Sequence, residues 1–269
     1  MIDQFYTLPE DAKRAVMEVS SRYDLGGFDW ILEPSAGGGA FLEHLPRRTL
    51  AIDLDPVNCS EEVIQCDFFD YDFPEGSGLT IGNPPFGRRG SLAVRFINLA
   101  AEYSRVVAMV LPRSFARPAM QNRVNPLMHL VHDHDISTFV LPGGDLWDVR
   151  ATFQVWERRA YERVLLKVSR NHPDFRLKHQ HISWATDEEM ARIREEFPIC
   201  IGQNNLRWMD SREPQRGSVW FVKPVSERCK AILMSLDFAY IKESSTCTPS
   251  LSKGDIIDKY TSACADKLN

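Results

Sequence analysis

Four short apolar segments in the first 85 residues each stop abruptly at glycines, acidic residues or prolines. Such residues end strands. The predicted strands are 29–34, 50–55, 62–67 and 79–85. Apolar spacing then predicts a helix over 91–103 and a strand over 105–111. Because strands that alternate with helices pair in parallel, the chain is predicted to form a doubly wound α/β sheet. Ligands of such sheets bind beyond the carboxyl ends of the strands, where every one of these stops lies.

The remaining pattern divides the chain into two predicted regions. Residues 1–160 add a helix after Pro9, a brief helix from Ala40, a helical stretch near 117–131, and strands over 136–141 and 151–157. Residues 161–269 predict helices over 187–196, 226–236 and 253–260, with strands near 199–208 and 217–222. We therefore expect one large α/β domain followed by a smaller α+β region.

Composition excludes several classes of protein. Hydrophobic residues make up 43% and charged residues 26% of the chain, which rules out a disordered chain, a collagen or a coiled coil. The apolar run 106–111 is too short to cross a bilayer, and the first residues lack the features of a signal peptide. The six cysteines include no C-x-x-C pair. We therefore expect reduced thiols in a cytoplasmic or nuclear protein that is neither secreted nor membrane-bound.

Charge is distributed unevenly along the chain. The net charge is -5, but residues 1–80 carry 16 acidic and 5 basic side chains, so the remainder is net positive. Residues 157–185 combine seven lysines and arginines with aromatic residues and histidines. This stretch is either a nucleic-acid face or an ordinary solvated surface. A polyanion would approach the second part of the chain.

The loop over 33–41 joins the first strand to a helix and contains three consecutive glycines, Gly37 to Gly39. Glycines let backbone N–H groups approach a ligand closely, although a plain tight turn has the same composition. Asp53, at the end of the second strand, could accept both hydroxyls of an adenosine ribose, although Asp55 could take this role and Asp53 could be a surface acid. Asp67 could accept from an adenine amino group with Phe68 against the ring, or could be a surface acid beside a core residue.

The strongest motif is Asn83-Pro84-Pro85-Phe86. The two prolines fix the turn after a strand and remove backbone donors. This leaves the Asn83 side-chain oxygen and the Pro84 carbonyl as acceptors beside the flat ring of Phe86. Two convergent acceptors next to a ring suit an exocyclic amino group on a planar base. The alternative is a purely structural turn.

Taken together, these motifs resemble the S-adenosylmethionine-dependent amino methyltransferases. The glycine loop precedes Asn-Pro-Pro-Phe, as in the gamma-type N6-adenine group. The motif is also similar to that of cap-adenosine N6-methyltransferases and of small phage or viral relatives. The resemblance covers residues 3–160 and implies a Rossmann-like class I methyltransferase fold, S-adenosyl-L-methionine as cofactor, and methylation of adenine N6 in DNA or RNA, with DNA favoured.

The resemblance also implies roles for individual residues. Asn83, Pro84, Pro85 and Phe86 would be catalytic, the first two accepting the amino hydrogens and Phe86 stacking on a flipped base. The segment 5–9 is similar to a motif that holds the methionine end of the cofactor. The implied cofactor-binding residues are Tyr6, Thr7, Pro9, Glu33, Pro34, Ser35, Ala36, Gly37, Gly39, Phe41, Asp53, Leu54, Asp67 and Phe68.

Substrate contacts are predicted around this motif. Arg88 and Arg89 follow it directly and, with Arg113 and Arg150, could hold phosphates at the mouth of the site. Trp147 either flanks the base or anchors a loop. The run His129 to His134 lacks the partners of a known zinc motif, so solvated or capping histidines are favoured and no metal is predicted.

Two other function classes stay open. The first is a protein glutamine N5-methyltransferase, because an Asn-Pro-Pro motif can hold any planar amide –NH2; those relatives usually have Tyr where Phe86 stands. The second is a catalytically silent subunit that binds nucleic acid or a partner methyltransferase. The partner is therefore expected to be nucleic acid, and a protein partner or a homodimer is left open.

Overall fold

The computed structural model describes residues 5–56, 63–168, 170–203, 205–239, 241 and 251–265. The chain forms two compact units, Met1–Leu166 and Lys167–Asn269. The assignment of cofactor binding to residues 1–160 and of substrate recognition to 161–269 stays a prediction. No helix within the described ranges has the length and apolar character needed to cross a membrane.

An eight-stranded sheet organises the first unit. Its strands are β1 (Tyr6–Thr7), β2 (Trp30–Glu33), β3 (Leu50–Asp53), β4 (Ile64–Gln65), β5 (Gly78–Gly82), β6 (Ser104–Pro112), β7 (Met128–Val140) and β8 (Leu146–Arg158). The spatial order is β1-β7-β8-β6-β5-β2-β3-β4. The five strands β4-β3-β2-β5-β6 are parallel and follow the doubly wound order 3-2-1-4-5. The predicted doubly wound, Rossmann-like α/β sheet is confirmed.

Core residues cover both faces of this sheet. Helix α1 (Pro9–Ser20) buries Ala12, Ala15, Val16 and Val19, spaced as one face of a helix requires. Helix α2 (Ser91–Tyr103) packs its own apolar stripe into a separate core cluster. Since β6 lies between these two layers, its side chains from Val106 to Leu111 are all buried. A continuous apolar run is what a doubly covered strand needs.

The antiparallel side of the sheet differs from the prediction. The predicted helical stretch 117–131 is wrong over its second half: helix α3 covers only Pro118–Gln121, and β7 begins at Met128. The apolar residues that suggested a helix pair instead with β8 in a long hairpin. The brief helix predicted from Ala40 is a single 3-10 turn, Leu42–His44. Glu62 of the third predicted strand lies outside the described residues.

The second unit contains a four-stranded antiparallel sheet in the order β11-β10-β12-β9. Its elements are β9 (Phe175–His181), α4 (Asp187–Glu196), β10 (Ile199–Gly202), β11 (Trp208–Asp210), β12 (Ser218–Pro224), α5 (Glu227–Ser235) and α6 (Lys253–Ala265). Strand β9 was not predicted because its basic, histidine-rich sequence lacks apolar alternation. Helix α4 begins with a capping box between Thr186 and Glu189, and this α+β arrangement agrees with the predicted elements. The described cysteines, Cys66, Cys200, Cys229 and Cys264, are free thiols.

Candidate active site

The side-chain amide of Asn83 is held in one orientation at the end of β5. Its Nδ2 donates to the Phe5 carbonyl at 2.7 Å, and because a carbonyl can only accept, the amide oxygen must face the other way. The Ser35 hydroxyl donates to the Asn83 backbone carbonyl at 2.9 Å. Within the described ranges, no donor bonds to Asn83 Oδ1 or to the Pro84 carbonyl. Two consecutive residues after β5 therefore each carry an acceptor oxygen that no described donor occupies.

The glycine loop is tied to the neighbouring strand. Gly37 and Gly39 have φ values of 52° and 81°, which L side chains rarely adopt. The Gly37 N–H donates to Asp53 Oδ2 at 2.7 Å, and the Gly39 N–H donates to the Ala36 carbonyl at 2.8 Å. A Cβ on Gly37 would lie 2.9 Å from the Tyr6 ring. The missing side chain is thus what allows Tyr6 to lie against the loop.

Strand β1 brings the N-terminal segment to both loops. Tyr6 and Thr7 pair with Val140 and Phe139 at the end of β7. The segment therefore contacts Asn83 through the Phe5 carbonyl and the glycine loop through Tyr6. Thr7 is buried, and its hydroxyl has no hydrogen-bond partner. The structure thus unites three segments that the sequence analysis had placed in one site.

Glu33 is the most unusual charged residue of this edge. It ends β2, is only 1% exposed, and its Oε2 has no hydrogen-bond partner among the residues that the structure describes. Burial, together with the negative charge of Asp53, raises the pKa of Glu33 well above its usual 4.5. An unpaired buried carboxyl group is costly, so a ligand cation beside it would be strongly favoured.

Asp53 and Asp67, the two other predicted acidic residues of the site, already accept hydrogen bonds from backbone N–H groups. Besides its bond to Gly37, Asp53 accepts the Asp55 N–H at 2.9 Å. A carboxylate has about four lone-pair sites, so ribose hydroxyls can still be accepted there. Asp67 is exposed and accepts the Phe69 N–H at 2.9 Å, which caps a 3-10 turn. Leu54 is 57% exposed beside Asp53.

Three aromatic rings of the predicted site lie in the core. Phe86 is 7% exposed and packs against Phe5, with 6.4 Å between ring centroids. Phe68 is 2% exposed and stacks on Phe96 at 4.7 Å, and Phe41 is equally buried. The rings of Phe86 and Phe68 are thus largely enclosed by neighbouring side chains, and their roles beside a base or an adenine stay predictions. The free energy gained by burying an aromatic ring favours a core position over an exposed position at the strand end.

The predicted substrate residues lie on three different elements. Arg88 is exposed in the turn after the Asn-Pro-Pro-Phe motif, and the Arg89 side chain lies outside the described atoms. Arg113 pairs with Asp135 at 2.7 Å. Trp147, 53% exposed, and Arg150 lie on β8, where the strand extends beyond Pro112 of β6.

The other predicted cofactor residues support the same loops. Pro34 and Ala36 are buried at the start of the glycine loop. Pro9 is the first residue of α1, a position where its missing N–H costs nothing. These residues shape the backbone at this edge of the sheet.

One cluster escaped the sequence analysis. Glu18 on α1 meets His132 and His134 on β7, with one ligand atom from each residue within 4.8 Å of the others. The contact spans more than a hundred residues of sequence, so no local motif signals it.

Comparisons with known proteins give distant structural likenesses alone. No protein-family model and no curated protein matches the chain. A provisionally assigned RNA methyltransferase from Pyrococcus horikoshii is similar at 17% identity and a TM-score of 0.47, over 58% of this chain and 87% of its own. The 23S rRNA methyltransferase ErmE is similar at 21% identity and a TM-score of 0.41, over 61% and 72%.

The M protein of the type I restriction enzyme EcoKI is similar over 98% of this chain and 70% of its own, at 11% identity and a TM-score of 0.42. Likeness at these levels does not identify a function. The functional conclusion therefore depends on the geometry of the strand ends.

Proposed function

We propose that this chain is an S-adenosylmethionine-dependent methyltransferase that methylates the N6 amino group of adenine in nucleic acid, with DNA favoured over RNA. The observation that carries the proposal is the fixed orientation of Asn83. Its Nδ2 is held by the Phe5 carbonyl, so its Oδ1 and the Pro84 carbonyl form a pair of acceptors. A planar –NH2 group has two hydrogens to donate to such a pair.

The residues of the adjoining loops fit the proposed cofactor. S-adenosylmethionine combines a cationic sulfonium, an amino-acid end and an adenosine. The buried, unpaired Oε2 of Glu33 suits a cationic ammonium group. Asp53 has lone pairs left for ribose hydroxyls beside the backbone donors that it already accepts.

Catalysis by this chain would consist of positioning and electrostatics. The lone pair of an adenine amino group is delocalised into the ring, which makes the nitrogen a poor nucleophile. Accepting both hydrogens at Asn83 Oδ1 and the Pro84 carbonyl would favour a tetrahedral nitrogen whose lone pair is free. When bound, the cofactor supplies an electrophilic methyl group. Once the amino nitrogen had accepted the methyl group that the cofactor would supply, its surplus proton would leave to water.

The test is transfer of labelled methyl groups from S-adenosylmethionine to duplex DNA, single-stranded DNA, RNA and bulk protein, followed by nucleoside analysis. Wild type is compared with Asn83→Ala. The control is Glu102→Ala, which removes an exposed side chain on α2, outside every predicted site. We expect N6-methyladenine with wild type and the control, and a loss of at least 100-fold with Asn83→Ala, in line with removal of one oxyanion-type contact.

The other outcomes decide between the alternatives. Label found in protein alone would replace the proposal with glutamine N5 methylation. Failure to bind S-adenosylmethionine in isothermal titration would replace it with a silent binding subunit. Equal transfer by wild type and Asn83→Ala would show that the acceptor pair has no part in the reaction.

A further inference from the structure

We propose that Glu18, His132 and His134 form a zinc-binding site that joins helix α1 to strand β7, separate from the candidate active site. This site does not depend on the proposed function. The three side chains come from two elements of the first unit that pack against each other. Carboxylate and imidazole are ligands that Zn²⁺ prefers.

The distances within the cluster match those of a tetrahedral site. His132 Nε2 lies 3.4 Å from Glu18 Oε2 and 3.3 Å from His134 Nδ1. Two ligands bound to Zn²⁺ at about 2.0–2.1 Å in tetrahedral geometry stand roughly 3.3 Å apart. Two of the three edges therefore already have the required length. The third ligand pair lies within 4.8 Å.

A β-bulge in β7 places both histidines on the α1 side of the sheet. The register shifts between Leu130 and His132, and beyond this shift His132 pairs with Val155 and His134 with Phe153. Val155 and Phe153 belong to the core cluster that includes the buried face of α1. Directly paired residues point to the same face, so the bulge aims both imidazoles at Glu18. Bulges often re-aim side chains beside functional sites.

The polar atoms of the cluster are incompletely satisfied. Among the described residues, His134 Nε2 is buried without a hydrogen-bond partner, and it stays unpaired whether or not Nδ1 binds a metal. Glu18 also borders a shallow surface depression lined by Glu10, Lys13, Arg14, Met17, Glu18 and Ser21. Solvent can therefore supply the fourth ligand, as at zinc sites with an open position.

Arg22 competes for the same ligands. Its guanidinium donates to Glu18 Oε2 at 2.9 Å and lies 3.0 Å from His132 Nδ1. A ligating His132 would carry its proton on Nδ1, facing this cation. Metal binding must therefore displace Arg22, a half-buried side chain of the surface. Removal of Arg22 should strengthen zinc binding, whereas removal of a ligand should weaken it.

The experiment is a zinc titration of the full chain after chelator treatment, with thermal unfolding and a competing zinc indicator as readouts. We expect one equivalent of Zn²⁺ to stabilise wild type, and Mg²⁺ to have no effect. Glu18→Gln and His134→Gln should each weaken binding at least tenfold, and Arg22→Ala should tighten it. His129→Gln is the matched control, because His129 lies on the same strand but contacts Tyr161 instead.

Co²⁺ supplies a readout that is independent of stability. A tetrahedral site gives Co²⁺ intense visible absorption, which should be lost in His134→Gln and retained in His129→Gln. The proposal is overturned if wild type and Arg22→Ala show no saturable binding. It is equally overturned if Glu18→Gln and His134→Gln bind Zn²⁺ as tightly as wild type, since binding would then come from the free cysteines.

Discussion

Replacement of Glu33 by glutamine should raise the stability of the first unit and lower its affinity for the cofactor. Glu33 is 1% exposed, and its Oε2 has no partner. Because the folded-state pKa is raised above the unfolded value of 4.5, the folded chain keeps a proton that the unfolded chain releases. The stability linked to this group is thus fully present below pH 4.5 and is lost as the pH rises through the folded-state pKa.

The magnitude follows from the buried charge. A buried group without its hydrogen bond costs about 1–3 kcal/mol, and more when it is charged. Glutamine would lack the partner too, but it would carry no charge to desolvate. We therefore expect ligand-free Glu33→Gln to be more stable than wild type by about 1–3 kcal/mol at pH 8. The melting temperature should rise by about 2–4 °C for each kcal/mol in a domain of this size. The difference should shrink as the pH is lowered towards the unfolded-state value of 4.5, because folded wild type then keeps its proton at little cost.

The same substitution should weaken binding of the cofactor. A hydrogen bond to a charged group contributes about 1.5–3 kcal/mol. Loss of the Glu33 charge should therefore weaken S-adenosylmethionine binding roughly 10- to 150-fold. Binding of a cation beside Glu33 lowers its pKa, so wild type should release protons on binding. Isothermal titration in buffers with different ionisation enthalpies measures that release.

One control variant and two possible results test this reasoning about Glu33. Glu43→Gln makes the same substitution at an exposed position ten residues along the chain and should change neither quantity. If the stability difference at pH 8 is no larger than at pH 5, Glu33 is not an uncompensated buried acid. If cofactor affinity is unchanged, Glu33 does not contact the cationic end of the ligand.

Three further predictions concern local contacts. Gly37→Ala should abolish cofactor binding, because φ is 52° and the new Cβ would lie 2.9 Å from the Tyr6 ring. Gly38→Ala, at an open position of the same loop, should bind the cofactor normally. Equal cofactor binding by both variants would refute the role of this close packing. Ser35→Ala removes the bond to the Asn83 carbonyl and should lower methyl transfer about 3- to 10-fold at unchanged cofactor affinity; unchanged transfer would show that this bond does not position Asn83. Thr186→Ala removes the α4 capping box and should destabilise the second unit by about 1 kcal/mol in chemical denaturation; an unchanged midpoint would contradict it.

The sequence by itself determined the α/β class and the location of the candidate site. Apolar segments ended by glycine, acid or proline predict strands, and parallel strands place all those ends at one edge. Helices α2 and α4 agree with the predictions over 91–103 and 187–196, because amphipathic spacing is a local property. The strands of the Rossmann-like half were located to within a few residues for the same reason.

Only the tertiary structure decided which groups are free to act. Pairing of β1 with β7 joins residues far apart in sequence, and the adjoining Phe5 carbonyl fixes the orientation of the Asn83 amide. Competition for the core removes the rings of Phe86 and Phe68 from the surface, which a strand-end motif cannot reveal. The meeting of Glu18 with two histidines depends on a β-bulge. Local periodicity carries no information about such long-range contacts, because they depend on which faces pack together.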